Sequence, residues 1–256
     1  MRIARVLFGD RVHYAVLEGD TARLLAASPF EDPNAISKGM GEAPLAGCRL
    51  LAPCAPGKAV CVGLNYADHS RKGDDGAPAE PVFFMKPPTA VLDPLGVIDY
   101  PPETSNLQYE AELAVVIGRR AHRITAAQAA EHVLGYTCAN DVTARDLQKS
   151  DGQWTRAKSF DTFLPLGPWI ETEFCPDAVD IRLLLNGQVT QSSNTRCMIR
   201  TAGELVAAAS RVMTLLPGDV ILTGTPGGMT SMQVGDTVTV EIAGIGALTN
   251  TVGIVP

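Results

Sequence analysis

The chain has 256 residues, of which 46% are hydrophobic and 19% are charged, and its formal net charge is −7. This balance is typical of a globular protein and excludes a disordered chain, while the absence of a basic stripe argues against nucleic-acid binding. No apolar run approaches the roughly 18 residues of a membrane span, and the start of the chain lacks the apolar core of a signal peptide. We therefore expect a cytoplasmic protein that binds neither nucleic acid nor membrane.

The first 45 residues predict a small β unit. The segment VLFGDRVHYAVLEGD, residues 6–20, places two Gly-Asp pairs next to apolar stretches, which is a hairpin signal. Residues 31–56 are rich in Pro, Gly and Ala and are interpreted as a linker. We expect a small N-terminal β domain with its linker over residues 1–52 and a main domain over residues 53–256.

Strands dominate the predicted elements of the main domain. Apolar or β-branched runs predict strands at Val60–Gly63, Val82–Met85, Glu112–Ile117, Ile181–Leu185, Asp219–Thr223, Thr237–Ile242 and Leu248–Val255. The pair Asn186-Gly187 after the fourth of these predicts a hairpin turn. Two helices that begin with capping boxes are predicted, one from Thr125 to about Gly135 and one from Thr201 to about Leu215. Many strands with few helices, not in alternation, predict the α+β class.

Three carboxylates form a candidate metal site. Glu110 and Glu112 are two residues apart on a predicted strand, so their side chains project from the same face. Like charges this close repel unless a cation or a shared proton neutralises them. Asp141 follows 31 residues after Glu110, beyond a predicted helix that lets the chain return beside the strand. Three carboxylates suit Mg²⁺ or Mn²⁺, although a solvated edge strand would explain the E-x-E spacing as well.

Five sequence blocks resemble, in this order, motifs of the fumarylacetoacetate hydrolase family. They are GLNYADH at 63–69, YEAEL at 109–113, NDVTARD at 140–146, AKSFD at 157–161 and LTGTP at 222–226. The similarity covers roughly residues 58–256. The resemblance implies a mixed β-roll or β-sandwich with a small N-terminal β unit, a homodimer, and an E-x-E…D site for Mg²⁺, Mn²⁺ or Ca²⁺.

The resemblance also implies roles for individual residues. The metal ligands align with Glu110, Glu112 and Asp141, the substrate-contacting positions with Tyr66, Arg145, Gln148 and Thr225, and the catalytic positions with His69 and Lys158. Members of the family act on 2-oxo or β-diketo acids as hydrolases, decarboxylases or isomerases. Hydrolytic members commonly carry a glutamate three residues after the histidine that corresponds to His69, and here that position is Lys72.

The candidate residues fit the chemistry of an anionic 2-oxo acid. Such a substrate chelates a cation through its keto and carboxylate oxygens, and the cation stabilises the enolate. Three carboxylates and one divalent cation sum to −1, and Arg145 and Lys158 would bring the total to +1. We expect a divalent-metal-dependent enzyme that decarboxylates or isomerises a small 2-oxo dicarboxylic acid or its enol. Two alternatives stay open: an acylpyruvate-type C–C bond hydrolase, and a catalytically inactive, metal-stabilised binding protein.

Overall fold

The computed structural model describes residues 1–67 and 78–255, and most of its regular structure is strand. The strands are β1 Arg2–Phe8, β2 Arg11–Glu18, β3 Thr21–Leu25, β4 Gly39–Pro44, β5 Arg49–Leu51, β6 Ala59–Gly63, β7 Val82–Lys86, β8 Val91–Leu92, β9 Val97–Asp99, β10 Leu107–Gln108, β11 Ala111–Ile117, β12 Val133–Asn140, β13 Thr143–Ala144, β14 Leu164–Glu171, β15 Asp180–Leu185, β16 Gln188–Asn194, β17 Val220–Leu222, β18 Thr237–Ile242 and β19 Gly246–Gly253.

The helices are short. The α-helices of the described ranges are α1 Arg145–Asp151, α2 Thr155–Lys158 and α3 Ala202–Val212. Short stretches of 3₁₀-helix lie at Pro33–Ser37, Leu45–Gly47, Pro88–Ala90, Ala126–Glu131, Pro176–Ala178 and Thr195–Cys197. Within residues 1–67 and 78–255, no helix combines the length and the apolar character needed to cross a bilayer.

The strands of residues 1–67 and 78–255 form three sheets. The largest has the order β4-β3-β2-β1-β14-β12-β11-β17-β6-β7, with β5 paired to β1 and β8 paired to β14. A second sheet has the order β16-β15-β18-β19-β9, and β10 pairs with β13. This dominance of strand over helix confirms the α+β class. The N-terminal strands are continuous with the large sheet, because β1 pairs with β14 through Arg2 and Glu171.

The strand β11 is the centre of the fold. Every residue of its sequence AELAVVI is buried, as expected for a strand that is covered on both faces. Leu113 packs into the core between the large sheet and the five-stranded sheet, with Ile181 and Val240 among its members. Val115 lies on the same face further along the strand, in a cluster with Leu205 of α3, and Ala114 packs on the opposite face in a third cluster. Because β11 pairs with β12 and with β17, the solvated-edge-strand alternative is wrong.

Several sequence expectations are confirmed within a residue or two. The predicted strand Thr237–Ile242 has those bounds, and the Asn186-Gly187 turn joins β15 to β16 as a hairpin. The capping box at Thr201 begins α3, where the Glu204 amide donates to the Thr201 hydroxyl at 3.3 Å.

Other expectations differ from the structure. The segment predicted to be helical from Thr125 forms only the 3₁₀ turn Ala126–Glu131. The region interpreted as a linker contains the two strands β4 and β5, which pair with β3 and β1. The short helices α1 and α2 were not predicted, and they supply two of the candidate site residues, Arg145 and Lys158.

Candidate active and metal site

The three candidate metal ligands meet at one end of β11 and β12. Glu110 directly precedes β11, Glu112 is its second residue, and Asp141 directly follows β12. The two strands are antiparallel with Ala111 opposite Asn140, and the Asp141 amide donates to the Glu110 carbonyl at 2.9 Å. One oxygen from each carboxylate lies within 4.8 Å of the others. The strand pairing therefore brings together residues that are 31 positions apart.

Two buried lysines neutralise part of this cluster. Lys158 Nζ donates to Glu110 Oε2 at 2.7 Å and to Asp141 Oδ2 at 2.8 Å. Lys86 Nζ lies 2.8 Å from Asp141 Oδ1, and both side chains are fully buried. Arg145 adds a third cation through a hydrogen bond from its guanidinium to Glu110 Oε1. Charges this deep in the fold are retained only when they are paired in this way.

Glu112 is the exception within the cluster. In the described part of the chain no lysine or arginine pairs with it, and its Oε2 accepts a hydrogen bond from the Gly224 amide. Burial and the charges of Asp141 and Glu110 raise the pKa of Glu112 well above its usual range. A divalent cation would supply the missing positive charge, so the residues present fit a metal ion.

The pKa values of Glu110 and Lys158 are determined by their ion pairs rather than by their burial. Burial alone would raise the pKa of Glu110, but the charges of Lys158 and Arg145 outweigh it and lower that pKa to about 2. Burial alone would lower the pKa of Lys158, whereas Asp141 and Glu110 raise it above its ordinary value. Glu110 is therefore ionised and Lys158 protonated across the physiological pH range.

Buried amides hold the backbone around the ligands. The Asn140 side-chain oxygen accepts from the Glu110 amide at 2.9 Å. The Gln191 oxygen accepts from the Ala111 amide, between the two glutamates, at 3.0 Å, and its nitrogen donates to the Thr225 hydroxyl at 2.9 Å. Gln191 lies on β16, so it connects the five-stranded sheet to both β11 and the turn at Thr225.

The turn that follows β17 also depends on a close approach. Gly224 has a φ of +95°, and a Cβ at this position would lie 2.9 Å from Asn65 Cβ. The Asn65 side chain donates to the Thr223 carbonyl at 2.8 Å, in the same peptide group whose N–H reaches Glu112. Glycine at 224 is therefore required both by the backbone conformation and by the packing.

A cavity of about 250 Å³ opens onto the cluster. One wall is apolar, with Trp154 set edge-on to Phe84 at a ring-centroid distance of 5.2 Å. Another part of the lining is polar and cationic. Its residues include Arg145, Gln148, Lys149, Lys158 and Thr225. The cavity therefore suits a small anion that has an apolar or planar middle.

The structure brings together most of the residues that the sequence singles out. Glu110, Glu112, Arg145, Gln148, Lys158 and Thr225 line the cavity, and Asp141 lies beneath it in contact with Lys158. Tyr66 is fully buried and is not part of the cavity lining. His69 and Lys72 lie outside the described residues. The roles assigned to all of these residues stay predictions.

Three further residues of the site were not found from the sequence. Lys86 ends the apolar strand β7, Gln191 lies on a polar strand, and Trp154 precedes α2. Only Trp154 carried a signal, since a tryptophan next to a predicted site motif is a plausible wall of a pocket. Lys86 and Gln191 acquire their importance from contacts with residues distant in the sequence.

Comparison with known proteins gives matches over the whole chain. The family model described as fumarylacetoacetate (FAA) hydrolase C-terminal matches residues 58–253, and a model described as Rv2993c-like, N-terminal matches residues 1–53. The Mycobacterium tuberculosis protein Rv2993c is 48% identical over 98% of each chain. A mitochondrial oxaloacetate tautomerase of Bos taurus is 44% identical over 79% of this chain and 68% of its own. The structure of a 5-carboxymethyl-2-hydroxymuconate delta-isomerase from Mycobacterium smegmatis is 47% identical, with a TM-score of 0.93 over 100% of both chains.

Proposed function

Since the chain belongs to the fumarylacetoacetate hydrolase family, we propose that it is a divalent-metal-dependent enzyme that isomerises or decarboxylates a small 2-oxo dicarboxylic acid or its enol. The observation that carries this proposal is the cluster of Glu110, Glu112 and Asp141 beneath a cavity with a cationic wall. A cation held by these three oxygen ligands would act as a Lewis acid on the 2-oxo group and stabilise negative charge that develops there.

The charge balance of the site supports an anionic substrate. Three carboxylates and one divalent cation sum to −1, and Arg145 and Lys158 raise the total to +1. Lys86, which contacts Asp141, raises it to +2. Lys149 also lines the cavity, but it is exposed and its charge is screened by solvent. A dicarboxylate of charge −2 would bring the other charged groups to neutrality, whereas a neutral substrate would leave their positive charge uncompensated.

The protein side chains have separable roles in this proposal. The planar guanidinium of Arg145, which lines the cavity beside Gln148, suits a substrate carboxylate. Lys158 stays protonated because Glu110 and Asp141 raise its pKa, so its role is a fixed positive charge at the reacting oxygen. The apolar wall of Phe84 and Trp154 excludes water from one side of the substrate.

Two relatives favour isomerisation over hydrolysis as the reaction. The bovine relative carries the name of a tautomerase, and the structural relative from Mycobacterium smegmatis carries the name of a delta-isomerase. Both names describe rearrangement of an acid without the addition of water. Lys72, in the place where hydrolytic members carry glutamate, agrees with this choice.

Four finer features belong to the same proposal. We place the enzyme in the cytoplasm, as a homodimer, with Mg²⁺ or Mn²⁺ as its cation. A division into an N-terminal unit over residues 1–52 and a catalytic unit over residues 53–256 is proposed as well.

A substrate panel tests the proposed function. Metal-free protein would be assayed with Mg²⁺ or Mn²⁺ against oxaloacetate, acylpyruvates and hydroxymuconate-like dicarboxylates, with tautomerisation, decarboxylation and hydrolysis followed separately. We expect metal-dependent isomerisation or decarboxylation that Lys158→Met reduces, because this change removes the charge at the reacting oxygen. Hydrolysis that exceeds the other two reactions would contradict the proposed reaction, and inactivity on all substrates would favour a binding protein.

A further inference from the structure

Each carboxylate of the cluster has one oxygen committed to a donor of the protein. Glu110 Oε1 accepts from Arg145, and Glu112 Oε2 accepts from the Gly224 amide. Asp141 Oδ1 faces the Lys86 ammonium at 2.8 Å. The second oxygens of Glu110 and Asp141 both accept hydrogen bonds from Lys158, a residue that lines the cavity.

Backbone carbonyl oxygens anchor the Lys86 ammonium beside Asp141. Its ammonium donates to the carbonyl oxygens of Val142 at 2.9 Å, Lys158 at 2.6 Å and Phe163 at 2.8 Å. An ammonium group has three N–H donors, so these three bonds use all of them. The contact with Asp141 Oδ1 is therefore one of charge, which explains why this buried oxygen accepts no hydrogen bond in the described structure.

Lys158, unlike Lys86, lines the cavity. Its ammonium holds Glu110 Oε2 and Asp141 Oδ2. A cation that binds these two oxygens would take the place of the Lys158 ammonium, whereas Asp141 Oδ1 would stay paired with Lys86. Access to Asp141 is thus limited to Oδ2.

We propose that Lys86 is a positioning residue that confines Asp141 to one metal-binding oxygen and, together with Arg145 and the Gly224 amide, makes the site selective for Mg²⁺ or Mn²⁺ over Ca²⁺. Mg²⁺ and Mn²⁺ accept three single oxygens in an octahedral arrangement, whereas Ca²⁺ takes 6–8 oxygens and gains from carboxylates that bind through both of theirs. The inference rests on the proposed metal-dependent function and adds the residue that limits the number of oxygens offered to the cation.

Calorimetric titration of the metal-free, full-length protein with each cation tests this selectivity without an activity assay. We expect the wild-type chain to bind Mn²⁺ at least about tenfold more tightly than Ca²⁺, because the three carboxylates supply too few oxygens for calcium. In Lys86→Met, Asp141 Oδ1 becomes available, and the ratio of the two affinities should fall about tenfold as calcium gains a ligand.

A matched control is the Lys58→Met variant. Lys58 also pairs with a buried aspartate, Asp219, but at the opposite end of β17 from Gly224. This variant should keep the wild-type ratio of affinities. If Lys86→Met fails to fold by circular dichroism, Arg145→Gln releases an oxygen of Glu110 and should shift the ratio in the same direction.

The possible results separate this inference from the proposed function. Equal or tighter binding of Ca²⁺ by the wild-type chain overturns the inference, as does a wild-type ratio in a folded Lys86→Met variant. Binding of metal without selectivity leaves the proposed function intact. Failure to bind any of the cations overturns both.

Discussion

The Glu112→Gln variant separates metal binding from folding more cleanly than any other change in the site. Glu112 pairs with no lysine or arginine of the described chain, so its replacement breaks no ion pair. Glutamine keeps the oxygen that accepts from the Gly224 amide. Because burial and the charges of Asp141 and Glu110 raise the pKa of Glu112, its negative charge is unfavourable without metal. In EDTA the variant should therefore be at least as stable as the wild-type chain.

The stabilisation that metal gives the wild-type chain should be largely lost in Glu112→Gln. At about 100 times its dissociation constant, a cation that binds only the folded state stabilises it by about 2.7 kcal/mol. For a chain of this size, that corresponds to a Tm increase of about 5–10 °C. Loss of one partner of a buried charge pair costs about 3–5 kcal/mol, so affinity should fall at least about 100-fold. At the same metal concentration, the residual Tm increase is about 1 °C.

Differential scanning calorimetry with EDTA and with Mn²⁺ measures both effects. Glu241→Gln serves as the control, since Glu241 lies on β18, pairs with Arg182 at 3.3 Å and is not part of the cavity lining. The control should keep the full metal-induced increase. If Glu112→Gln also keeps it, or unfolds at a much lower temperature than wild type in EDTA, the assignment of Glu112 as a metal ligand is wrong.

Three further predictions concern the pH dependence, the cationic side chain and the cavity wall. A carboxyl group whose pKa is raised in the folded state stabilises the fold at low pH, and this contribution is lost as pH rises. The metal-free chain should therefore lose stability as pH rises above 4.5, the ordinary pKa of a glutamate. Chemical denaturation at a series of pH values measures this loss, which should be smaller in Glu112→Gln. Lys158→Met should lower kcat at least about 100-fold, because it removes a charge that stabilises the transition state. It should not weaken Mn²⁺ binding, because Lys158 competes with the cation for one oxygen each of Glu110 and Asp141. A kcat within threefold of wild type would contradict the role of Lys158. Gly63→Ala places a Cβ 2.8 Å from the Trp154 ring and should raise KM several-fold while Mn²⁺ affinity stays constant; an unchanged KM would show that substrate does not reach this wall.

The parts of the fold that follow local patterns could be predicted from the sequence. The hairpin at Asn186-Gly187 is an example, since both residues adopt the positive φ values, 51° and 78°, that this turn requires. The helices α1 and α2 gave no such signal. They have seven and four residues, and the side chains at their N-caps, Ala144 and Trp154, make no capping hydrogen bond. Tertiary packing rather than local preference determines these two helices.

Two of the three carboxylates could be predicted because their relationship is local, and the third because it begins a motif that resembles the family's. The spacing of Glu110 and Glu112 places them on one face of a strand, and antiparallel pairing with β12 adds Asp141. Lys86 could not be predicted, because a lysine at a strand end is ordinarily exposed. Its burial depends on the carbonyl oxygens of Val142, Lys158 and Phe163, which only the folded chain brings together.

Exchange of substrate hydrogen with solvent tests the central claim most directly. If the cluster stabilises the enolate of a 2-oxo dicarboxylic acid, the protein with Mg²⁺ should exchange the C3 hydrogens of oxaloacetate for deuterium faster than the same concentration of Mg²⁺ alone. Nuclear magnetic resonance in D₂O follows this exchange before any later step. We expect the excess rate to disappear in EDTA and in Glu112→Gln. An excess rate that persists in either case would show that the reaction does not depend on the metal held by Glu110, Glu112 and Asp141.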